Sequence, residues 1–247
     1  MKSGVFTVLE NRRAAEDIHI LRLAGETSAI TAPGQFVEIE IPGFFLRRPF
    51  SVCSWEPESL TVAFRIAGKG TVALCGLKPG AALDVLTGLG NGFDTKKSGG
   101  SPLLVGGGSG IAPLPALAKA LRSEGKSVTA ILGAAGRGGV FLAGEIAETG
   151  ARVVIATEDG SLGVRGLVTD AMAGIGHSHV YACGPEPMMK AVAEASPSGG
   201  QFSFEARMGC GFGACMGCSR MMKSGPKRIC LDGPVFEKED ILWQTSP

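Results

Sequence analysis

Four of the seven cysteines fall near the carboxy terminus: Cys210, Cys215, Cys218 and Cys230 stand in the pattern C-x4-C-x2-C-x11-C, inside and after the run GCGFGACMGCS. Thiolates at a C-x4-C-x2-C spacing with one more distant partner hold a [2Fe–2S] cluster, which carries one electron at a time. Glycines at 209, 211, 213 and 217 suit a loop that must bend around sulfur and aim backbone N–H groups at it. Zinc is the competing metal, but its structural sites pair two short knuckles, and here one gap is x4 and the other x11. An odd total of seven cysteines argues against a disulfide framework. Outside this group, Cys53 and Cys75 read as small buried hydrophobes.

Two further regions carry polar and glycine-rich chemistry. In LRRPFSV (46–52) and FRIAGKGT (64–71), Arg48 can give a bidentate contact to a pyrophosphate. The N–H groups of Gly70 and Thr71 can approach the same anion, and Ser51 can hydrogen-bond a flavin ring. An arginine step and a glycine turn also occur as ordinary surface features of β proteins, and that reading stays open. Next comes PLLVGGGSGIAPLPAL, which places Gly106, Gly107, Gly108 and Gly110 between a strand and a helix, where pyrophosphate binds well. The run lacks G-x-G-x-x-G, so a plain tight turn remains the alternative. In VVIATEDGSLG a strand ends on Glu158 and Asp159. An acidic residue there accepts from ribose hydroxyls and favours NAD over its phosphorylated form; no arginine stands beside the pair in sequence. His19, His177 and His179 are too few for a metal site, and HSH at 177–179 reads as a solvated turn.

The elements that must position these residues fall into three groups. From residue 4 to about 95 the chain runs in short β-prone stretches such as VFTVLE, QFVEIEI and LTVAFRIAG, broken by proline and glycine, the pattern of a β-barrel. The polar stretch DTKKSGGS at 94–101 marks a boundary. Beyond it PLLVGG, SVTAILGAA, ARVVIAT and SHVYACG alternate with helix candidates at 113–124, 142–149, 164–173 and 186–195, which predicts a parallel sheet with crossover helices. A second loop boundary lies at 195–201. The expected division is therefore 1–97, a β-barrel; 98–197, an α/β domain; and 198–247, the cysteine segment.

Composition narrows the partners. With 24 Lys+Arg against 23 Asp+Glu the net charge is +1, so neither a nucleic-acid footprint nor a polybasic membrane patch is indicated. Apolar stretches are interrupted well short of a membrane span, and MKSGVFTVLENRR turns polar at once. A cytoplasmic chain is expected.

The motifs together resemble a known family. R-P-F-S, residues Arg48, Pro49, Phe50 and Ser51, looks like the R-x-[YF]-S flavin motif of the ferredoxin reductase superfamily. The resemblance also assigns Ala63, Phe64, Arg65, Gly70 and Thr71 to FAD. YACGPEPMM resembles the C-G-P nicotinamide loop, which places Cys183 and Gly184 beside the hydride-transfer centre, with Gly107, Gly108, Gly110, Glu158 and Asp159 on the rest of the NAD. Within the superfamily, the order of motifs and the run FEARMGCGFGACMGCS…CLDGPVF are similar to the electron-transfer subunits of class 1B dihydroorotate dehydrogenases. That likeness implies FAD, a [2Fe–2S] cluster and NAD on one chain, with Ser51 and Cys183 orienting the reacting rings. It also implies an FMN-containing dihydroorotate dehydrogenase catalytic subunit as partner, in a heterotetramer of two of each, in pyrimidine biosynthesis. The cluster-bearing face should then be apolar and covered by that partner. Small subunits of NADH-dependent ferredoxin:NADP oxidoreductase and flavin subunits of cytoplasmic hydrogenases share the domain order. The former tend to carry an acidic residue where this chain has Cys210.

Overall fold

The computed structural model describes residues 1–243. Strands β1 (Lys2–Arg13), β2 (Ile18–Ala24), β3 (Phe36–Ile39), β4 (Arg48–Glu56) and β5 (Ser59–Arg65), then helix α1 (Lys69–Cys75) and β6 (Ala82–Leu89), make the first unit. Its six strands close into an antiparallel barrel in the order β1-β2-β5-β4-β3-β6. Side chains alternate across each strand, so Leu21 and Leu23 of β2 join Val37, Ile39, Val62 and Val85 in the barrel interior. The opposite face of β2 is buried too: Ile18 and Ile20 pack outward against the second unit. Cys53 is buried on the same outward side, and burial pushes its thiol up to about 12. Helix α1 is a departure from the expected glycine-threonine loop. Thr71 Oγ1 accepts from the N–H groups of Ala67 and Gly68 at 2.9 and 3.1 Å, which satisfies donors at the start of the helix and lets the turn wind.

The second unit follows as β7 (Pro102–Gly107), α2 (Leu114–Ser123), β8 (Thr129–Ala134), α3 (Ala143–Glu148), β9 (Arg152–Thr157), β10 (Val164–Arg165), α4 (Val168–Met172), β11 (His179–Cys183), α5 (Glu186–Ala195) and β12 (Gly200–Ser203). Helix α2 starts beside Pro113 and Pro115, where missing N–H groups cost nothing, and buries Leu114, Leu117, Ala118 and Leu121 on one stripe. The sheet runs β10-β9-β8-β7-β11-β12 in parallel. Leu104, Ala130, Leu132 and Tyr181 face α2, α3 and the barrel. Leu103, Val105, Ile131 and Val180 face the core that holds α4, α5 and the cysteine segment. His179 is not in a solvated turn: it begins β11, is buried, and its ring lies 4.8 Å from that of Tyr181.

The sheet does not stop at residue 197. After the hairpin β13 (Ser219–Met222) and β14 (Gly225–Arg228), the chain returns as β15 (Val235–Glu237) and pairs antiparallel with β12, Phe202 opposite Phe236. The cysteine segment is thus a long excursion between two neighbouring strands, and β15 rather than β12 forms the outer edge of the sheet. Asn91, just past the barrel, fixes the returning strand. Its Oδ1 accepts from Val235 N–H at 3.1 Å and its Nδ2 donates to Val235 O at 2.8 Å. Among the described residues, no helix is long and apolar enough to cross a membrane.

Replacing Asn91 by Ala removes these side-chain bonds, with a further one to the Asp232 carbonyl, and leaves backbone groups of Val235 without those partners. A loss of about 1–3 kcal/mol is expected, read by denaturant unfolding, with faster amide exchange at Val235. Unchanged exchange there would refute the anchoring role.

Candidate functional site

Two cavities and one set of thiols collect the residues singled out by sequence. The first is a cleft of about 290 Å³ on the barrel wall, where Arg48, Pro49, Phe50 and Ser51 of β4 meet Ala63, Phe64 and Arg65 of β5, with Thr71 at the rim. β4 and β5 are neighbours in the barrel, which is why motifs apart in sequence share one wall. The rings of Phe50 and Phe64, 5.4 Å apart, form part of that wall. Arg48 Nη1 donates to the carbonyls of Leu46 and Arg47. A Cβ built on Gly70 would stand 3.4 Å from Arg48 Nε, so glycine there lets the α1 turn sit against the guanidinium. A guanidinium, a hydroxyl and a close backbone turn together can grip a pyrophosphate. The facing wall was missed by sequence: Ser203, Phe204, Glu205, Ala206 and Met208 from the exit of β12, Pro234 before β15, and Ser109 and Ala112 beyond β7. In sequence its signal is FSFEARM at 202–208, which runs directly into the cysteine loop.

A larger cavity, about 760 Å³, opens at the carboxyl ends of β7, β8 and β9 and beside the loop after β11. From β7 the chain winds one way to β8 and β9 and then crosses to β11 on the other side. Crevices at such a switch point are where nucleotides bind open parallel sheets. Gly107 and Gly108 line it, with Pro185 and Met188 opposite. Gly110 lies behind them, packed so closely that a Cβ would fall 2.2 Å from the carbonyl oxygen of Cys183. Cys183 and Gly184 are therefore held on the glycine turn. Cys183 is buried, and burial, reinforced by Glu205, pushes its thiol far up. It stays protonated and packs rather than attacks.

The two acidic residues after β9 separate. Glu158 lines the cavity, whereas Asp159 is used by its own turn: Oδ1 accepts from Ser161 N–H at 2.9 Å and Oγ at 2.6 Å, and these bonds hold its carboxyl below the usual range. An arginine does reach this loop. Arg137, from the turn after β8, donates from Nη2 to Ser161 O at 2.9 Å. Parallel pairing of β8 with β9 sets their exit loops side by side, which sequence adjacency could not reveal. Arg65 lines both cavities and pairs with Asp17 at 2.9 Å.

The four cysteines of the terminal segment come as two pairs. Cys218 and Cys230 are buried with sulfurs 3.2 Å apart, and the Cys230 N–H points at Cys218 Sγ, 3.4 Å away. The Cys215 N–H points at Cys210 Sγ, also 3.4 Å away. Burial pushes the Cys210 thiol up, but N–H groups of Cys215, Phe212 and Ala214 outweigh it and bring it down to about 6. Among the described residues no three His, Cys, Asp or Glu side chains converge on one ion. Two thiol pairs fit two irons with two sulfurs each. Beneath Gly211 lies Glu38 of β3, 1% exposed, with both carboxylate oxygens unpartnered. Burial and the nearby Cys210 push this carboxyl up to about 7. Around the pairs Phe212, Met216, Met221 and Leu231 are exposed, an apolar surface of the kind covered in complexes.

Gly110→Ala should force the Cys183–Gly184 backbone off the glycine turn. The Michaelis constant for NADH is expected to rise at least about ten-fold, measured with an artificial acceptor. An unchanged constant would show that this contact does not shape the cavity.

Comparison with known proteins agrees with this layout. Residues 205–242 match the model for the iron–sulfur cluster binding domain of dihydroorotate dehydrogenase B, and residues 104–194 match the oxidoreductase NAD-binding domain. The dihydroorotate dehydrogenase B (NAD(+)) electron transfer subunit of Geobacillus sp. (strain WCH70) is 40% identical over 98% of this chain and 99% of its own. That of Geobacillus thermodenitrificans (strain NG80-2) is 41% identical over 96% and 97%. A solved structure of NADH-dependent reduced ferredoxin-NADP oxidoreductase superposes with a TM-score of 0.89 at 31% identity, covering 97% of this chain and 90% of that one. Phthalate dioxygenase reductase shares the fold, with a TM-score of 0.64 at 22% identity over 78% of this chain and 64% of that one. With full-length identity to these subunits and a cysteine segment matched by their own cluster domain, the chain belongs to the family of dihydroorotate dehydrogenase B (NAD(+)) electron transfer subunits.

Proposed function

We propose that this chain accepts electrons from an FMN-containing catalytic subunit that oxidises dihydroorotate, and delivers them through a [2Fe–2S] cluster and FAD to NAD+, in pyrimidine biosynthesis. The observation that carries the reading is the shared cleft, whose walls come from the barrel, from the exit of β12 and from Met208 and Pro234 of the cysteine segment. FAD would stand where all three parts meet. When bound there, FAD exchanges hydride with nicotinamide and single electrons with a cluster, which neither of those partners can do alone.

The chain's own residues hold and orient. Arg48, Gly70 and Thr71 would grip the FAD pyrophosphate, Phe50 and Phe64 would flank the flavin, and Ser51 would hydrogen-bond its ring. Gly107, Gly108 and the Cys183–Gly184 strip would set the nicotinamide, while Glu158 accepts from the ribose hydroxyls. Cys210, Cys215, Cys218 and Cys230 would ligate the cluster. The division of labour is 1–97 for FAD, 98–197 for NAD and 198–247 for the cluster, with β12 and β15 shared between the last two. Phe212, Met216 and Leu231 would meet the catalytic subunit, in a cytoplasmic heterotetramer of two of each. A ferredoxin-linked role is the second reading, favoured by the similarity to the ferredoxin-NADP oxidoreductase. That match has lower identity than the dihydroorotate relatives, 31% against 40%.

In the reconstituted two-subunit enzyme, Cys215→Ser should abolish dihydroorotate-driven NAD+ reduction while NADH still bleaches the flavin at near wild-type rate. Loss of both would make the cluster structural. Retention of both would mean that electrons bypass it.

A further inference from the structure

Arg220 lies on β13, two residues after Cys218, with its side chain 12% exposed. Its guanidinium grips Glu186 with both arms: Nη1 donates to Oε2 at 2.8 Å and Nη2 to Oε1. Nη2 also donates to the Leu242 carbonyl at 3.1 Å. The same group lies over the Phe204 ring, 4.4 Å from its centroid. Glu186 opens α5 immediately after Cys183, Gly184 and Pro185, and Phe204 is part of the wall that faces the barrel in the shared cleft. A single side chain of the cysteine segment therefore touches Phe204, in the wall of one cavity, and Glu186, which stands between Pro185 and Pro187 in the lining of the other.

A bidentate guanidinium–carboxylate pair fixes orientation as well as distance, and a cation held over an aromatic face resists sliding of that ring. We infer that Arg220 is a positioning residue for hydride transfer: it locks the C-G-P loop and the Phe204 wall into one unit and so sets how nicotinamide meets flavin. The inference rests on the assignment of the two cavities to FAD and NAD. With both cofactors bound, NADH would give a hydride, two electrons with one proton, to FAD and leave NAD+; Arg220 would make and break no bond and would only hold the loop and the wall that place the two rings. Misplacement of reacting atoms by about 1 Å costs on the order of 100-fold in rate.

The test uses the purified holoprotein of Arg220→Met, Arg220→Lys and Glu186→Gln, with flavin and iron contents measured. Arg220→Met should slow flavin reduction at saturating NADH by about ten- to hundred-fold per bound flavin. It should also weaken binding of NAD+ but not of ADP-ribose, which lacks the nicotinamide ring. Arg220→Lys keeps the charge without the fork and should recover part of the rate. Glu186→Gln should reproduce the defect, and the Arg220→Met, Glu186→Gln double variant should be no worse than the more severe single, as expected of a coupled pair. If Arg220→Met is not obtained with flavin bound, Glu186→Gln carries the same measurement. A wild-type rate per flavin, or equal weakening of NAD+ and ADP-ribose, would overturn the positioning role. Absence of NAD+ and ADP-ribose binding in the wild-type protein would sink the cavity assignment itself, and the inference with it.

Discussion

Three backbone pairs between β12 and β15, Gln201 with Glu237, Phe202 with Phe236 and Ser203 with Val235, return the chain to the sheet it left at residue 203. Everything about the cysteine segment depends on that return. A run of some thirty residues rich in glycine has little capacity to bury a core of its own. Closed between two paired strands, it instead packs Cys218, Cys230, Met222 and Ile229 into the core of the second unit. The same ladder brings Pro234 to the wall of the cleft and leaves Ser203 to Ala206 facing the barrel. Gln201 reinforces it by donating to Glu237 at 2.7 Å. The barrel cleft proposed for FAD and the cysteine segment proposed for the cluster thereby share a wall.

Burial does different work at the two kinds of thiol. Cys183 is sunk under the glycine turn, where desolvation keeps it protonated, so it serves as a small packing group near the proposed nicotinamide site. Cys210 sits among aimed N–H groups that favour thiolate, the state a metal ligand needs. Glu38 is a third case, a buried carboxyl with no hydrogen-bond partner among the described residues, placed by the barrel beneath the cysteine loop. Its position shows that the barrel and the terminal segment are packed in direct contact.

The iron–sulfur character of the terminal segment was legible because three of its four thiols stand in one short loop, and residues 205–242 match an iron–sulfur cluster binding domain. The barrel and the parallel sheet were legible because period-two runs and strand–helix alternation are properties of sequence, and the structure forms both. What sequence did not disclose came from contacts between segments. Helix α1 hid in a glycine-threonine stretch because its cap is a Thr71 hydroxyl reaching back to Ala67 and Gly68. The β12–β15 pairing joins residues on either side of the cysteines. Asp159 and Glu158 are adjacent and chemically alike, and only the Ser161 turn decides which of them faces the cavity. Arg137 and Arg220 act on partners 24 and 34 residues away, too far for any local pattern to register.

Whether one chain converts between hydride and single electrons can be read from an anaerobic dithionite titration of the purified protein, followed by absorbance and electron paramagnetic resonance, with NAD+ then added in excess. Uptake of about three electron equivalents per chain is expected, two on flavin and one on the cluster, and NAD+ should drain the cluster signal together with the flavin. Uptake of about two equivalents with no cluster signal, or a cluster that stays reduced while flavin reoxidises, would contradict that conversion.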